Sequence, residues 1–410
     1  MEWVKALKRH YDKIFVEEWP GTIAGILLGF LIVLIFAWGR TWGVQGGLNN
    51  WGDWFNYLIG LSKPLGISGP PESPLRNSTS LMSIGLLLGA FAAALMSKQF
   101  AIRIPPPLEM VKGAIGGILM GIGATMSMGC NVGGFIAPVT SFNMSGWGMW
   151  LGMIIGAALG IKILLWEMEH ISWGRKNIQK FSATDKKDTY KPFLGILIYM
   201  AAIFWGVRYL TSTEEGLKFL GGVLLIGTAF GVVLHRSRFC FSRAFRDPFM
   251  IGDGSMTKGA ILMILIAILG NALLIYNGSH AYYDALTPVF WAGSVLGGII
   301  FGMGMIAAGG CASGSLWRAA EGHIKLMITI VFFAWTGSVW KALLVKWDIL
   351  QLHMDMTRPG SYLTKLGVTF YMPKEFHSWF WTLVVSLGLL AIWFVLVVYN
   401  EATEKFVVVK

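Results

Sequence analysis

Hydrophobic positions in this chain run in long blocks rather than in stripes. Apolar runs of about the 18–20 residues that a bilayer core requires recur at 21–37, 81–96 and 379–398. Reading such blocks through the sequence predicts about ten spanning helices, near residues 19–38, 81–97, 111–128, 148–166, 191–209, 217–234, 258–275, 289–307, 324–344 and 376–399. The first block reads as a helix rather than a cleaved leader. Residues 1–18 are charged and amphipathic, with Trp3, Leu7, Tyr11 and Phe15 on one side, and no small-residue cleavage site follows the apolar run. They are expected to lie at the membrane interface.

The stretches between blocks are not ordinary loops. Residues 42–61, 131–145, 238–249 and 312–320 mix apolar side chains, glycines and a few polar groups. They are expected to form short helices or re-entrant segments, which at membrane depth must be buried in protein or line a cavity.

An internal repeat organises the whole. Residues 116–133 (GGILMGIGATMSMGCNVG) align without gaps on 297–314 (GGIIFGMGMIAAGGCASG), an offset of 181. The eight identities in 18 positions include Cys130 with Cys311, which glycine-rich composition alone does not produce. A weaker echo sets 25–43 against 222–240, with Gly43 opposite Cys240. The expected division is an interfacial segment 1–18, a first membrane repeat 19–210 and a second 211–410. Five crossings per repeat would invert one half relative to the other, and inverted repeats with broken helices hold transporter sites at their interface. The expected fold class is an all-α polytopic membrane protein with short re-entrant helices and two inverted repeats.

Composition supports this class. Hydrophobic residues make up 55% and charged residues 13%, with a mean hydropathy of +0.61, whereas soluble domains carry about a quarter charged residues. The net charge of +11 does not signal nucleic acid, because the basic residues are spread through the loops. Lys and Arg favour the side of the two termini by about two to one, which puts both termini in the cytoplasm. The 19 Trp and 11 Tyr fit an aromatic belt at the interfaces. Three cysteines without a CxxC make neither a disulfide framework nor a dithiol motif. No phosphate-binding loop is present, and the seven histidines, His10 to His377, are scattered, so no metal or cofactor is expected.

Chemistry concentrates where glycines break the helices. Gly129-Cys130-Asn131 is followed by Gly133, Gly134 and Pro138. Glycines let backbone approach a ligand closely, and a helix starting there aims its positive end at an anion. Tight helix packing through small residues is the competing explanation. Gly310-Cys311-Ala312-Ser313 repeats the pattern with a hydroxyl, and Arg318, Glu321 and His323 follow. Arg318 and Glu321, spaced i, i+3, read equally as a surface ion pair. In the third stretch, 236–247, Arg236 and Arg246 read as loop charges. Cys240 lies between two phenylalanines, beside Arg238 and Arg243, which attract anions. The topology sets Cys130 toward the periplasm and Cys240 and Cys311 toward the cytoplasm, so thiols on both sides of one path would touch a soft, polarisable substrate atom in steps.

These motifs carry a resemblance. The paired GGxxxG…GC segments, RSRFCFSRAFRD and GGCASGSLWRAAEGH resemble the YeeE/YedE family of bacterial sulfur-transport membrane proteins, from about Trp19 to the last helix. Chain length, the segment between the first two helices and FRD after Cys240 look most like the YedE branch, associated with selenium metabolism. The resemblance implies a bacterial inner-membrane protein that takes up a thiosulfate-like anion, with cysteines passing it along a narrow path. Cys130 and Cys311 fall on the family's two glycine–cysteine motifs. At Gly43 the thiosulfate branch has a cysteine, so a selenium species is an alternative cargo. A cytoplasmic sulfur-carrier protein is a candidate recipient. The competing expectation is a membrane thiol enzyme that handles sulfane sulfur, selenium or electrons between cysteines. It requires two thiols near enough to pair, within about 7 Å between Cα atoms.

Overall fold

A computed structural model of the chain describes residues 3, 9–67, 69–170, 190–278, 289–353, 361–364, 366–368 and 370–408. Leu7, His280 and most of the basic loop 175–191 lie outside the described residues. Among the described residues the fold is all-α apart from one short antiparallel ladder, β1 (Gln351–His353) against β2 (Ser361–Leu363).

Fifteen α-helices follow one another among the described residues. The first seven are α1 (Gly21–Ala37), α2 (Gln45–Leu58), α3 (Ser78–Met96), α4 (Pro107–Met126), α5 (Ala137–Thr140), α6 (Met144–His170) and α7 (Lys191–Leu210). Then come α8 (Glu215–Arg236), α9 (Phe241–Met250), α10 (Ser255–Tyr276), α11 (Ala292–Ala308), α12 (Ala312–Ala320), α13 (Ile324–Lys346), α14 (Met372–Glu375) and α15 (Trp379–Thr403). Among the described residues nine helices are long and apolar enough to cross a membrane. A tenth forms if α1 is joined to the helix 9–16 that precedes it at a 70° bend. The ten predicted blocks all coincide with these helices. Large apolar side chains such as Phe193, Leu197 and Phe204 of α7 and Phe380, Ile392 and Val395 of α15 face outward, as on a lipid-facing surface.

The helix ends follow from local chemistry. Asn77 accepts a hydrogen bond from the Ser80 N–H at the start of α3, Pro107 opens α4, and Ser378 caps α15 through the Trp381 N–H. The four expected breaks are real. Helix α2, a π-helical turn at Asn131–Ile136 leading into α5, helix α9 and helix α12 occupy them. Each is too short to span a membrane, and all but α2, which is half buried, are mostly buried.

Small residues set the packing. Helices α4 and α11 cross antiparallel through their repeated glycines. A Cβ added at Gly116 would meet the Gly304 carbonyl at 2.7 Å, and one at Gly304 the Gly116 carbonyl at 2.8 Å. At the other end of the crossing, Gly123 and Gly297 stand in the same relation, at 2.5 and 2.6 Å. No other residue lets two backbones approach so closely. Around this centre α4 packs on α13 and α6 on α11, while α3 packs on α8 and α1 on α10. The N-terminal segment closes against this body. Tyr11 donates its hydroxyl to the Met96 carbonyl, and the Trp19 N–H donates to the Arg236 carbonyl.

Candidate functional site

Each of the three cysteines occupies the same local frame. A long helix ends in a residue of left-handed conformation: Met128 (φ 55°), Arg238 (φ 53°) or Gly309 (φ 76°). At Met128 and Arg238 the paired backbone bonds of a Schellman ending satisfy the last carbonyls. Two residues later the cysteine is extended and occupies the N-cap position of a short helix: Cys130 before the turn into α5, Cys240 before helix α9 and Cys311 before helix α12, where only Cys311 makes a side-chain cap bond. All three are free thiols and buried, at 0%, 2% and 0% exposure respectively. The first bond of the new turn is also shared by both halves. Gly134 N–H donates to Cys130 O at 2.6 Å, and Ser315 N–H to Cys311 O at 2.7 Å.

Around Cys311 the contacts are close. Its Sγ lies 4.0 Å from Cys240 Sγ and 3.6 Å from Ser313 Oγ, and it accepts the Gly314 N–H at 3.3 Å. A Cβ at Gly314 would meet Cys240 Sγ at 2.7 Å and Cys311 Sγ at 3.1 Å, so both sulfurs rest against the same glycine. Gly310 borders Ser315, whose buried hydroxyl has no hydrogen-bond partner among the described residues.

The matching place in the first half is open. Gly43 lies beside Gly133 as Cys240 lies beside Gly314, but a Cβ at either glycine would meet only the other's Cα, at 3.9–4.0 Å. Both glycines are half-buried rather than sealed. Asn131, next to Cys130, is fully buried, and neither end of its amide has a hydrogen-bond partner among the described residues. Gly129 folds tightly on Gly134, where any side chain would strike backbone. Next to Gly43 stands Trp42. Its ring stacks on Phe230 at 4.2 Å and tilts against Phe241 at 6.4 Å, and its buried indole N–H is unpartnered among the described residues.

Charge gathers beyond the thiol pair. Glu321, 1% exposed, takes Arg238 Nη1 at 2.6 Å and Arg103 Nη1 at 3.2 Å. Arg238 also donates to Gln99 at 2.7 Å and lies 3.5 Å from Glu18. Arg238 and Arg318 lie over Trp317, with centroid distances of 5.5 and 5.9 Å. The expected pairing of Arg318 with Glu321 is therefore replaced. Arg318 donates to the Gly309 carbonyl at 2.9 Å, tying down the broken end of α11. Arg243 and Arg246 both meet Asp247, at 3.1 and 2.8 Å.

Arg236 departs most from its expected role as a loop charge. It is 1% exposed at the end of α8, and one of its nitrogens donates to the Glu17 carbonyl of the N-terminal segment. No signal in the sequence marks this burial. Arg103 and Gln99 were also missed, because they lie far along the chain from the carboxylate and guanidinium they meet. His323, in the turn after α12, lies 3.8 Å from Glu321. Burial first and Arg318 second push its imidazole down to about 4.

The geometry brings Cys240, Cys311, Ser313 and Gly310 together, with Arg238 and Arg318 against Trp317 nearby. Cys130, Asn131 and Gly129 form a separate group beside Gly43 and Gly133. The sulfurs of Cys240 and Cys311, 4.0 Å apart, are near enough to meet, the feature that the thiol-enzyme expectation turns on.

Comparison with known proteins decides the class. The model of the sulphur transport family matches residues 4–159 and 236–409. The probable transporter YedE of Salmonella typhimurium is 30% identical over 371 residues, covering 84% of this chain and 88% of that protein. YedE of Escherichia coli is 30% identical over 82% of this chain and 86% of its own length. The thiosulfate transporter TsuA of Escherichia coli is 30% identical over 173 residues, 42% of this chain and 46% of that protein. The family and these relatives are named as transporters, not enzymes. The chain belongs to the sulphur transport family and is a multi-pass membrane protein.

Proposed function

We propose that this member of the sulphur transport family takes up a small sulfur- or selenium-containing anion of the thiosulfate type, along a path lined by Cys130, Cys240 and Cys311. The observation that carries the reading is the recurrence of one frame at three places, a buried cysteine at the N-cap position of a short helix, two residues after a left-handed turn residue. Such a turn offers backbone N–H groups and a positive helix end to an anion, and an S–H is a donor weak enough to release it. Asn131, whose amide has no partner among the described residues, would take an oxygen of the anion in the first half. Ser313 would do so in the second. Gly129 and Gly310 would allow the backbone to turn, and Arg238, Arg243 and Arg318 would raise the anion's local concentration at the cytoplasmic mouth.

The reading includes two repeats, 19–210 and 211–410, inverted in a bacterial inner membrane with both termini cytoplasmic. The antiparallel crossing of α4 and α11 supports it, because Gly116 meets Gly304 while Gly123 meets Gly297. Equivalent helices that cross antiparallel are related by an axis in the membrane plane. A cytoplasmic sulfur-carrier protein would receive the cargo. The test is uptake of labelled thiosulfate, selenite and sulfate into proteoliposomes by the unaltered protein and by Cys130→Ala, Cys240→Ala and Cys311→Ala. Thiol-dependent uptake of thiosulfate or selenite is expected. Uptake that survives all three changes in correctly inserted protein would remove the thiol path.

A further inference from the structure

We propose that Cys240 and Cys311 form a reversible oxidation site, a dithiol that small two-electron thiol oxidants of the polythionate class close to a disulfide, shutting the second-half layer. The proposal rests on the anion path just described, since the thiols are 2% and 0% exposed and an oxidant of the cargo's own class would reach them along it.

Three observations converge on the pair. The sulfurs stand 4.0 Å apart, so closing to bonding distance asks each to move by about 1 Å, within reach of a side-chain rotation. Both sulfurs crowd onto Gly314, which holds them together and has no side chain to intervene. Each cysteine stands at the N-cap position of a short helix, and Cys311 Sγ accepts the Gly314 N–H, which fixes its sulfur beside Cys240. The matching place beside Cys130 carries Gly43, so this half alone holds a pair.

The chemistry balances with tetrathionate as oxidant. The thiolate of one cysteine attacks a sulfane sulfur, the central S–S bond breaks, and one thiosulfate leaves with the electron pair. The thiolate of the other then attacks the Sγ of the first, forming the disulfide and expelling a second thiosulfate. Two thiols give up two electrons and two protons, and tetrathionate takes the electrons. The bond joins the starts of α9 and α12 across the layer, and thiol reductants reverse it.

The experiment is intact-mass spectrometry combined with uptake, on full-length protein in proteoliposomes treated with tetrathionate. Hydrogen peroxide, which is uncharged, is used in a parallel sample. The unaltered protein is expected to lose about 2 Da and about ten-fold of its uptake, both restored by dithiothreitol. Cys240→Ser and Cys311→Ser should show no 2 Da loss, while Cys130→Ser should still show it. Absence of the mass loss with both oxidants overturns the proposal, and so does a disulfide that leaves uptake unchanged. A disulfide formed by peroxide but not by tetrathionate keeps the site and overturns the oxyanion oxidant. The path reading fails separately, by absence of uptake in the fully reduced protein.

Discussion

The two glycine–cysteine layers share a backbone frame and differ in what fills it. In the second half Cys240 Sγ presses on Gly314 beside Cys311, and a buried carboxylate with two arginines lies beyond. In the first half Gly43 leaves that volume empty beside Gly133 and Cys130. The turn aligned with Glu321 carries Thr140, whose hydroxyl donates within its own helix, to Ala137 O at 3.2 Å. One layer is open, with a single thiol and uncharged. The other is sealed, with paired thiols and ion-paired side chains.

The largest effect expected is on uptake itself. If both layers belong to one path, Cys130→Ala and Cys311→Ala should each lower thiosulfate or selenite uptake by about 100-fold, a loss of about 2.7 kcal/mol in the limiting step. Equal loss joins the layers functionally, whereas loss at Cys311 alone would break the pairing of the two.

A comparison of turns comes next. Glu321→Gln leaves Arg103 and Arg238 without their shared carboxylate and should cost about 3 kcal/mol of stability. Thr140→Val, at the aligned position, should cost about 1 kcal/mol or less. Thermal unfolding in detergent measures both, and similar shifts would mean that the charged seal adds nothing.

Smaller still is the contrast between glycines. Gly314→Ala pushes a Cβ to 2.7 Å from Cys240 Sγ and should reduce uptake about ten-fold, while Gly133→Ala finds room and should change it by about two-fold or less. Gly43→Cys sharpens the same point, because its Cβ would meet nothing nearer than the Gly133 Cα at 3.9 Å. In a Cys240→Ser background, the new thiol and Cys130 should close under peroxide, read as a loss of about 2 Da. Failure to close would show that the first layer is not built to hold a pair.

How much of this was legible differs between fold and site. The blocks and breaks could be read because span length and glycine placement are local properties of the sequence. The frame around Cys130 and Cys311 could be read because the repeat doubled it. The ion pairs could not. Glu321 meets an arginine from the loop after α3 and another from the turn after α8, and no local spacing announces either partner. Arg236 looked like one of four loop arginines. Its burial depends on where the N-terminal segment folds back, which is a property of tertiary packing. The 4.0 Å approach of Cys240 to Cys311 depends likewise on how α9 and α12 meet.

The smallest effect expected lies in pH dependence, and it too belongs to one half. His323 occupies the position aligned with Phe142, so only one of the two turns can titrate there. Burial and Arg318 hold its imidazole at about 4 while Glu321 pulls the other way. The unfolded chain protonates this residue near 6.5. Between about pH 6.5 and 4 the unfolded state therefore binds a proton that the folded turn refuses, and stability is lost as pH falls through that window. Above it, this residue makes no difference. His323→Gln keeps a polar side chain without the titration, so it should lose less stability than the unaltered protein between about pH 7 and 4.5, by on the order of 1 kcal/mol. Thermal unfolding in detergent at the two pH values makes the check. An equal loss in both proteins would move the acid sensitivity away from this turn and leave the two halves alike in that respect.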